Sequence, residues 1–283
     1  MKSDNDYIRD RVCTVGVLDH LLSCVPARNV NQFAEWFDES MRRKYPGRTW
    51  ETAANNKWRK NFSGQVALST ESRDWLSELF PDVVGLFAEG PGRLWQALWK
   101  PAQEQNDLWG IYDVWDAPWG TGVYSEALED LCQKVFSGYD FNEPIDEGDL
   151  GRAVVLYRLS EQFGLGSPEE GVDAYLCVRA ALCMLAGSRF LCRTIHNIVD
   201  YLSVREEQRL DSSPTLRAAL GERWCGQEHL RNLGAYDELA VIEYLDNPFH
   251  RMALLPRFES VRARWDQLAN DAYYSYRWSK LAS

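Results

Sequence analysis

Residues 31–80 read NQFAEWFDESMRRKYPGRTWETAANNKWRKNFSGQVALSTESRDWLSELF, and the spacing of their apolar residues decides the fold class. Phe33, Trp36, Phe37 and Met41 recur at intervals of three and four, which places side chains on one face of a helix. Pro46-Gly47 ends that run, so a helix is expected over 31–45. Thr49 is positioned to cap another through Lys60, and Ser69-Thr70-Glu71 opens a further one that carries Trp75, Leu76 and Leu79 toward Pro81. Upstream, Val12, Val15, Leu18, Leu21 and Leu22 form an apolar stripe closed by Pro26. Nothing alternates as a half-buried strand would, and the expected fold is all-α.

Nine of the twelve tryptophans fall between Trp36 and Trp119. Tryptophan is bulky and seldom left wholly in water, so the clustering implies a Trp-laced core, an aromatic binding face, or both. Leu94, Trp95, Leu98 and Trp99 make a stripe ended by Pro101. Trp109, Tyr112 and Trp115 follow at three-residue spacing, with Trp119 after Pro118, a row able to stack a sugar or a nucleobase. Leu108, Ile111 and Val114 widen the same element into something apolar on most sides, which is the core alternative. A seam rich in breakers and acids covers 137–148, which divides the chain into two packed helical subdomains, 1–136 and 149–283. Past it, Leu150 to Phe163 reads as one helix. Ser167-Pro168-Glu169-Glu170 then starts a long element from Gly171 to about Arg209, expected as the central helix of the second subdomain. The aromatic tail from Tyr273 to Trp278 reads as a final helix.

A net charge of -11 repels phosphates before contact and argues against indiscriminate binding to nucleic acid or anionic membrane. One stretch departs from that balance. From Arg28 to Lys60 there are eight Lys/Arg (Arg28, Arg42, Arg43, Lys44, Arg48, Lys57, Arg59, Lys60) against four acids. The longest apolar run, Tyr175 to Leu191, is interrupted by Arg179 and Arg189 and falls short of a membrane span. Seven cysteines without a repeating framework, and a start lacking the basic-then-apolar build of a secretory signal, give the expectation of a reducing, cytoplasmic setting.

The common catalytic signatures are missing: there is no phosphate-binding glycine loop with Lys-Ser/Thr, no helical zinc-protease histidine pair and no Gly-x-Ser-x-Gly elbow. Two local patterns remain. Cys192-x3-His196 and Cys225-x3-His229 would each, on a helix, present a thiolate and an imidazole to one side, and together would complete a tetrahedral zinc site; the alternative is packed thiols and half-buried histidines. The spacings Arg189-x6-His196 and Arg223-x5-His229 resemble the arginine and histidine of HEPN-type helical ribonucleases. That resemblance implies a histidine moving a proton from a ribose hydroxyl while the arginine meets phosphorane charge. Here Phe190 and Trp224 stand where that family carries a polar residue after the arginine.

The run Trp58-Arg59-Lys60-Asn61-Phe62-Ser63-Gly64, followed by Leu68 to Phe80, resembles the recognition helix, glycine turn and next helix of phage-repressor-type helix-turn-helix regulators. The resemblance implies that Lys57, Arg59 and Lys60, flanked by Arg42 and Arg43, would touch phosphate or base edges. The sequence reading is therefore a non-enzymatic regulatory or interaction protein, linked to genome defence, whose N-terminal half binds DNA or a protein partner and whose C-terminal bundle mediates assembly, a homo-oligomer included. No cofactor and no membrane are expected. The alternatives are a metal-independent ribonuclease and a zinc-stabilised scaffold.

Overall fold

Asn29 accepts a hydrogen bond from the Gln32 backbone N–H, and the Gln32 side chain accepts one from that of Arg28, so donors left bare at a helix start are satisfied. The helix they open, Val30–Lys44, stops before Pro46. It is α2 in a computed structural model that describes residues 4–112, 121–137, 144–185 and 187–212. Those residues hold eleven α-helices and no strand.

The chain groups into two units, the first comprising residues 1–91 and 187–201. It contains α1 (Asp4–Ser23), α2, α3 (Lys57–Phe62), α4 (Thr70–Ser77) and α5 (Val83–Glu89). Phe33, Phe37 and Met41 of α2 are buried with Leu18 and Leu21 of α1, Trp58 and Phe62 of α3 and Leu76 of α4. The rings meet edge to face: Phe37 lies 5.0 Å from Trp58, and Phe33 lies 5.3 Å from Phe62. Such pairs contribute about 0.5–1.5 kcal/mol each beyond their burial. Residues 63–68 are shaped by Asn61, whose side-chain amide donates to the carbonyls of Val66 and Ala67, and by Gly64 at φ 71. A Cβ on Gly64 would lie 2.8 Å from the Arg11 side chain.

The helix expected from Thr49 to Lys60 is a correction: it begins only at Lys57. The cause is a buried carboxylate on α2. Asp38, 2% exposed, accepts from the Thr52 N–H at 3.0 Å, the Thr52 hydroxyl at 2.7 Å and the Ala53 N–H at 3.0 Å. The Thr52 hydroxyl oxygen in turn accepts from the Trp58 indole N–H at 2.9 Å. These bonds hold residues 52–56 as turns, and Asn56 takes a left-handed φ of 54 just before α3.

The second unit, which among the described residues lies within 92–185 and 202–212, contains α6 (Leu94–Trp99), α7 (Gln105–Tyr112), α8 (Thr121–Ser137), α9 (Glu147–Phe163), α10 (Pro168–Met184) and the later part of α11 (Ile195–Ser212). Its axis is α9, buried along almost every side from Asp149 to Leu159. Asp146 and Asp149 form a reciprocal capping box at its start, three residues before the expected Leu150, and Gly164 in left-handed conformation ends it. Arg158, 5% exposed, donates to the Ala97 and Lys100 carbonyls at 2.7 and 2.8 Å and so satisfies the C-terminal end of α6. Gly92, at φ 53, approaches so closely that a Cβ there would stand 2.4 Å from the Gly148 backbone.

These contacts join residues on both sides of the expected 137–148 seam, and the chain parts at 91/92, 186/187 and 201/202 instead. Residues 138–143 of that seam, and the tail 273–278, lie outside the described residues. The single long element expected from Gly171 to Arg209 is two helices, α10 and α11. Gly187 and Ser188 interrupt it: the Ser188 hydroxyl accepts from the Phe190 N–H, and turns follow through Thr194. Asp38→Ala leaves three donors without their acceptor, and the expected outcome is a loss of about 2–4 kcal/mol in urea unfolding. A change under about 0.5 kcal/mol, the ordinary surface effect, would show that the network is dispensable.

Candidate nucleic-acid interface

On α3, Trp58, Asn61 and Phe62 take the inward positions, which leaves Lys57, Arg59 and Lys60 around the outer arc. Arg59 and Lys60 are exposed, and neither makes an ion pair among the described residues. Lys57 is held differently: its ammonium sits 3.8 Å from the centre of the Trp75 ring and 3.6 Å from a Glu71 carboxylate oxygen. The turn after Pro46-Gly47 brings Arg48 to the same aromatic pair, its guanidinium 4.5 Å from the centre of Trp50 and 5.5 Å from that of Trp75. Trp50 and Trp75 meet edge to face at 5.2 Å. Cation–ring contacts of this kind contribute about 0.5–1 kcal/mol at exposed sites, and they orient a cation without neutralising it.

The α2 arginines are neutralised. Glu39 takes Arg42 at 2.8 Å on one carboxylate oxygen and Arg43 at 3.0 Å on the other. Next to them Glu78 receives Lys44 at 2.8 Å and the Tyr45 hydroxyl. Hydrogen bonds from Lys44 and Tyr45 hold the Glu78 carboxyl below its ordinary range, while the bond to Glu78 raises both Lys44 and Tyr45. Of the five cations singled out from sequence, Arg59 and Lys60 are unpaired among the described residues, Lys57 is half-committed, and Arg42 and Arg43 are spoken for. Arg48 was overlooked as a site residue; its signal was a cation placed by a Pro-Gly turn two residues before a tryptophan that the core takes up. The connection between α2 and α3, residues 45–56, exceeds the turn of about three or four residues in a helix-turn-helix.

The remaining expected sites fare unevenly. Arg189 and Cys192 lie in the turns before α11 and His196 is its second residue, so neither Arg189/His196 nor Cys192/His196 shares one helix. The break at Gly187-Ser188 is the reason. Arg189 donates to the Ser23 hydroxyl, and no group of three or more His, Cys, Asp or Glu side chains is arranged for a metal among the described residues. Arg223, Cys225 and His229 lie outside those residues, as do Trp115 and Trp119. The described half of the aromatic row faces inward: Trp109 is 1% exposed and meets Tyr112 edge to face at 5.5 Å.

Comparison with protein-family models, with curated proteins and with solved structures gives no match for this chain. The fold defines an all-α protein in which no described helix is long and apolar enough to cross a membrane.

Burial lifts the Tyr112 phenol from its ordinary 10 to about 12, against an opposing influence from Arg152. The folded state therefore keeps a proton that the unfolded state releases. Stability from this group is intact below about pH 10 and is lost as the pH climbs toward about 12. Thermal unfolding across that window should decline less steeply in Tyr112→Phe than in the parent protein, and superimposable alkaline profiles would count against a buried phenol.

Proposed function

We propose that this chain is a non-enzymatic DNA-binding protein whose first unit grips the duplex backbone with Arg48, Arg59 and Lys60. The observation that carries the reading is the exposure of Arg59 and Lys60 without ion-pair partners among the described residues, together with Arg48 fixed on Trp50 and Trp75 in the same unit, in a protein whose charge is -11. Elsewhere in the basic stretch Arg42 and Arg43 are balanced by Glu39, Lys44 by Glu78, and Lys57 in part by Glu71. A surface that neutralised every lysine and arginine would be a solvated helix face; cations left unbalanced, Arg48, Arg59 and Lys60 among them, are available to phosphate.

Contact with backbone is favoured over base readout by the length of α3. Its six residues span about 9 Å and offer little to a groove. The acidic remainder of the protein suppresses loose association, so duplex affinity rests on this one face.

Fluorescence anisotropy with a labelled duplex tests the reading. Affinity should fall steeply between about 50 and 200 mM salt, and Arg59→Ala with Lys60→Ala should lower the slope of log K against log salt by about two units. Absence of duplex binding at low salt, or an unchanged slope in the double variant, would remove DNA from the account. Glu39→Gln should act in the opposite sense, since it releases Arg42 and Arg43 toward phosphate. The expected result is a several-fold gain in affinity with a steeper salt slope, and an unchanged affinity would mean that α2 faces away from the duplex.

A further inference from the structure

In the second unit Cys132 of α8 and Cys177 of α10 place their sulfur atoms 3.2 Å apart, although they are separated by 45 residues in sequence. Both are free thiols. Cys177 is wholly buried, and burial, together with its hydrogen bond to Cys132, holds its thiol well above the ordinary range. Cys132 is partly exposed, which makes it the member that a small solute reaches first. An ordinary core cysteine packs singly against apolar side chains. Here two sulfurs from different helices meet, and a shift of about 1.2 Å separates them from the bonding distance of about 2.05 Å.

We propose that Cys132 and Cys177 form a two-electron oxidation site for a peroxide, closing to a disulfide that fastens α8 to α10. The Cys132 thiolate attacks one peroxide oxygen, the O–O bond breaks, and the departing hydroxide takes up a proton to leave as water. Cys132 is then a sulfenic acid. The Cys177 sulfur attacks the Cys132 sulfur; the S–S bond forms, the S–O bond breaks, and hydroxide leaves with the proton that Cys177 gives up. Two thiols and one peroxide become one disulfide and two waters. The raised thiol of Cys177 slows the second step, and the fixed 3.2 Å approach offsets this by making that step intramolecular. The exposed Cys24 has no cysteine contact among the described residues, and its reaction with peroxide stops at the sulfenic acid or continues up the oxidation series.

The test uses the full chain, reduced and then exposed to hydrogen peroxide, with remaining thiols alkylated and the peptides analysed by mass spectrometry without reduction. The expected result is a peptide joining Cys132 to Cys177 as the first disulfide formed, a rise in Tm of about 5 °C or more, and reversal by dithiothreitol. Cys132→Ser should abolish both the linked peptide and the rise. Should that variant fold poorly, phenylarsine oxide, which needs two neighbouring thiols, supplies a second measurement on the unaltered protein: it should protect both cysteines from alkylation in the native state. Oxidation that stops at Cys24, a linked peptide that forms only in denaturant, or an arsenical that leaves Cys132 open to alkylation would each overturn the proposal.

Discussion

The first unit depends on a carboxylate placed where apolar groups would otherwise be expected. Asp38 sits on the inward side of α2 beside Phe37 and Met41, and a polar group in such a place is tolerated only when its hydrogen-bonding capacity is filled. Thr52 and Ala53 fill it. In doing so they fold the segment after α2 back on itself, set Trp58 through its indole N–H, and fix where α3 begins. The basic surface is downstream of that arrangement. Trp50 enters the core two residues before Thr52, and Arg48 is thereby held over its ring.

The second unit uses buried charge in the same way. Arg158 reaches from the middle of α9 to two carbonyls at the end of α6. Asp149, fully buried, is met by Lys134 of α8 at 2.8 Å and by Arg152 at 3.0 Å while it also completes the capping box of its own helix. Removing one partner of such a group strands the other in a medium of low dielectric, so these contacts specify which helices meet more than they add net stability. Both bring together residues on opposite sides of a stretch rich in helix breakers. A loop composition in sequence is thus a poor guide to where packing divides.

How much was legible follows from which interactions are local. The period of Phe33, Phe37 and Met41 and the stop at Pro46 gave α2 to within a residue, and Ser167 with Glu170 gave the start of α10, because capping and periodicity act within one helical turn. The break at Gly187-Ser188 was hidden by apolar residues that continue across it; Leu191, Ile195 and Ile198 are buried as expected, but burial does not require a continuous helix. The turns at 52–56 were invisible because Asp38 acts over fourteen residues. At the candidate interface the excess of cations could be counted, and the i,i+3 and i,i+4 spacing of Glu39 to Arg42 and Arg43 carried the sign of their pairing. Nothing local could show that Lys57 would turn to Trp75, or that Arg48 would remain available.

The first unit is assembled from two separated pieces of chain. Residues 187–201 return to α1, with Phe190 stacked 4.4 Å from His20 and Arg193 paired with Asp19 at 3.0 Å. During synthesis α1 to α5 emerge long before this segment does, so Asp19 and His20 lack these two partners while residues 92–186 are still being made. Closing so long an excursion costs loop entropy that grows only slowly with length, by about 0.6 kcal/mol for each doubling. The penalty therefore falls mainly on time. The nascent first unit waits, incomplete, on a segment encoded after most of its neighbour, and a chain interrupted anywhere before residue 187 would leave Asp19 and His20 without Arg193 and Phe190.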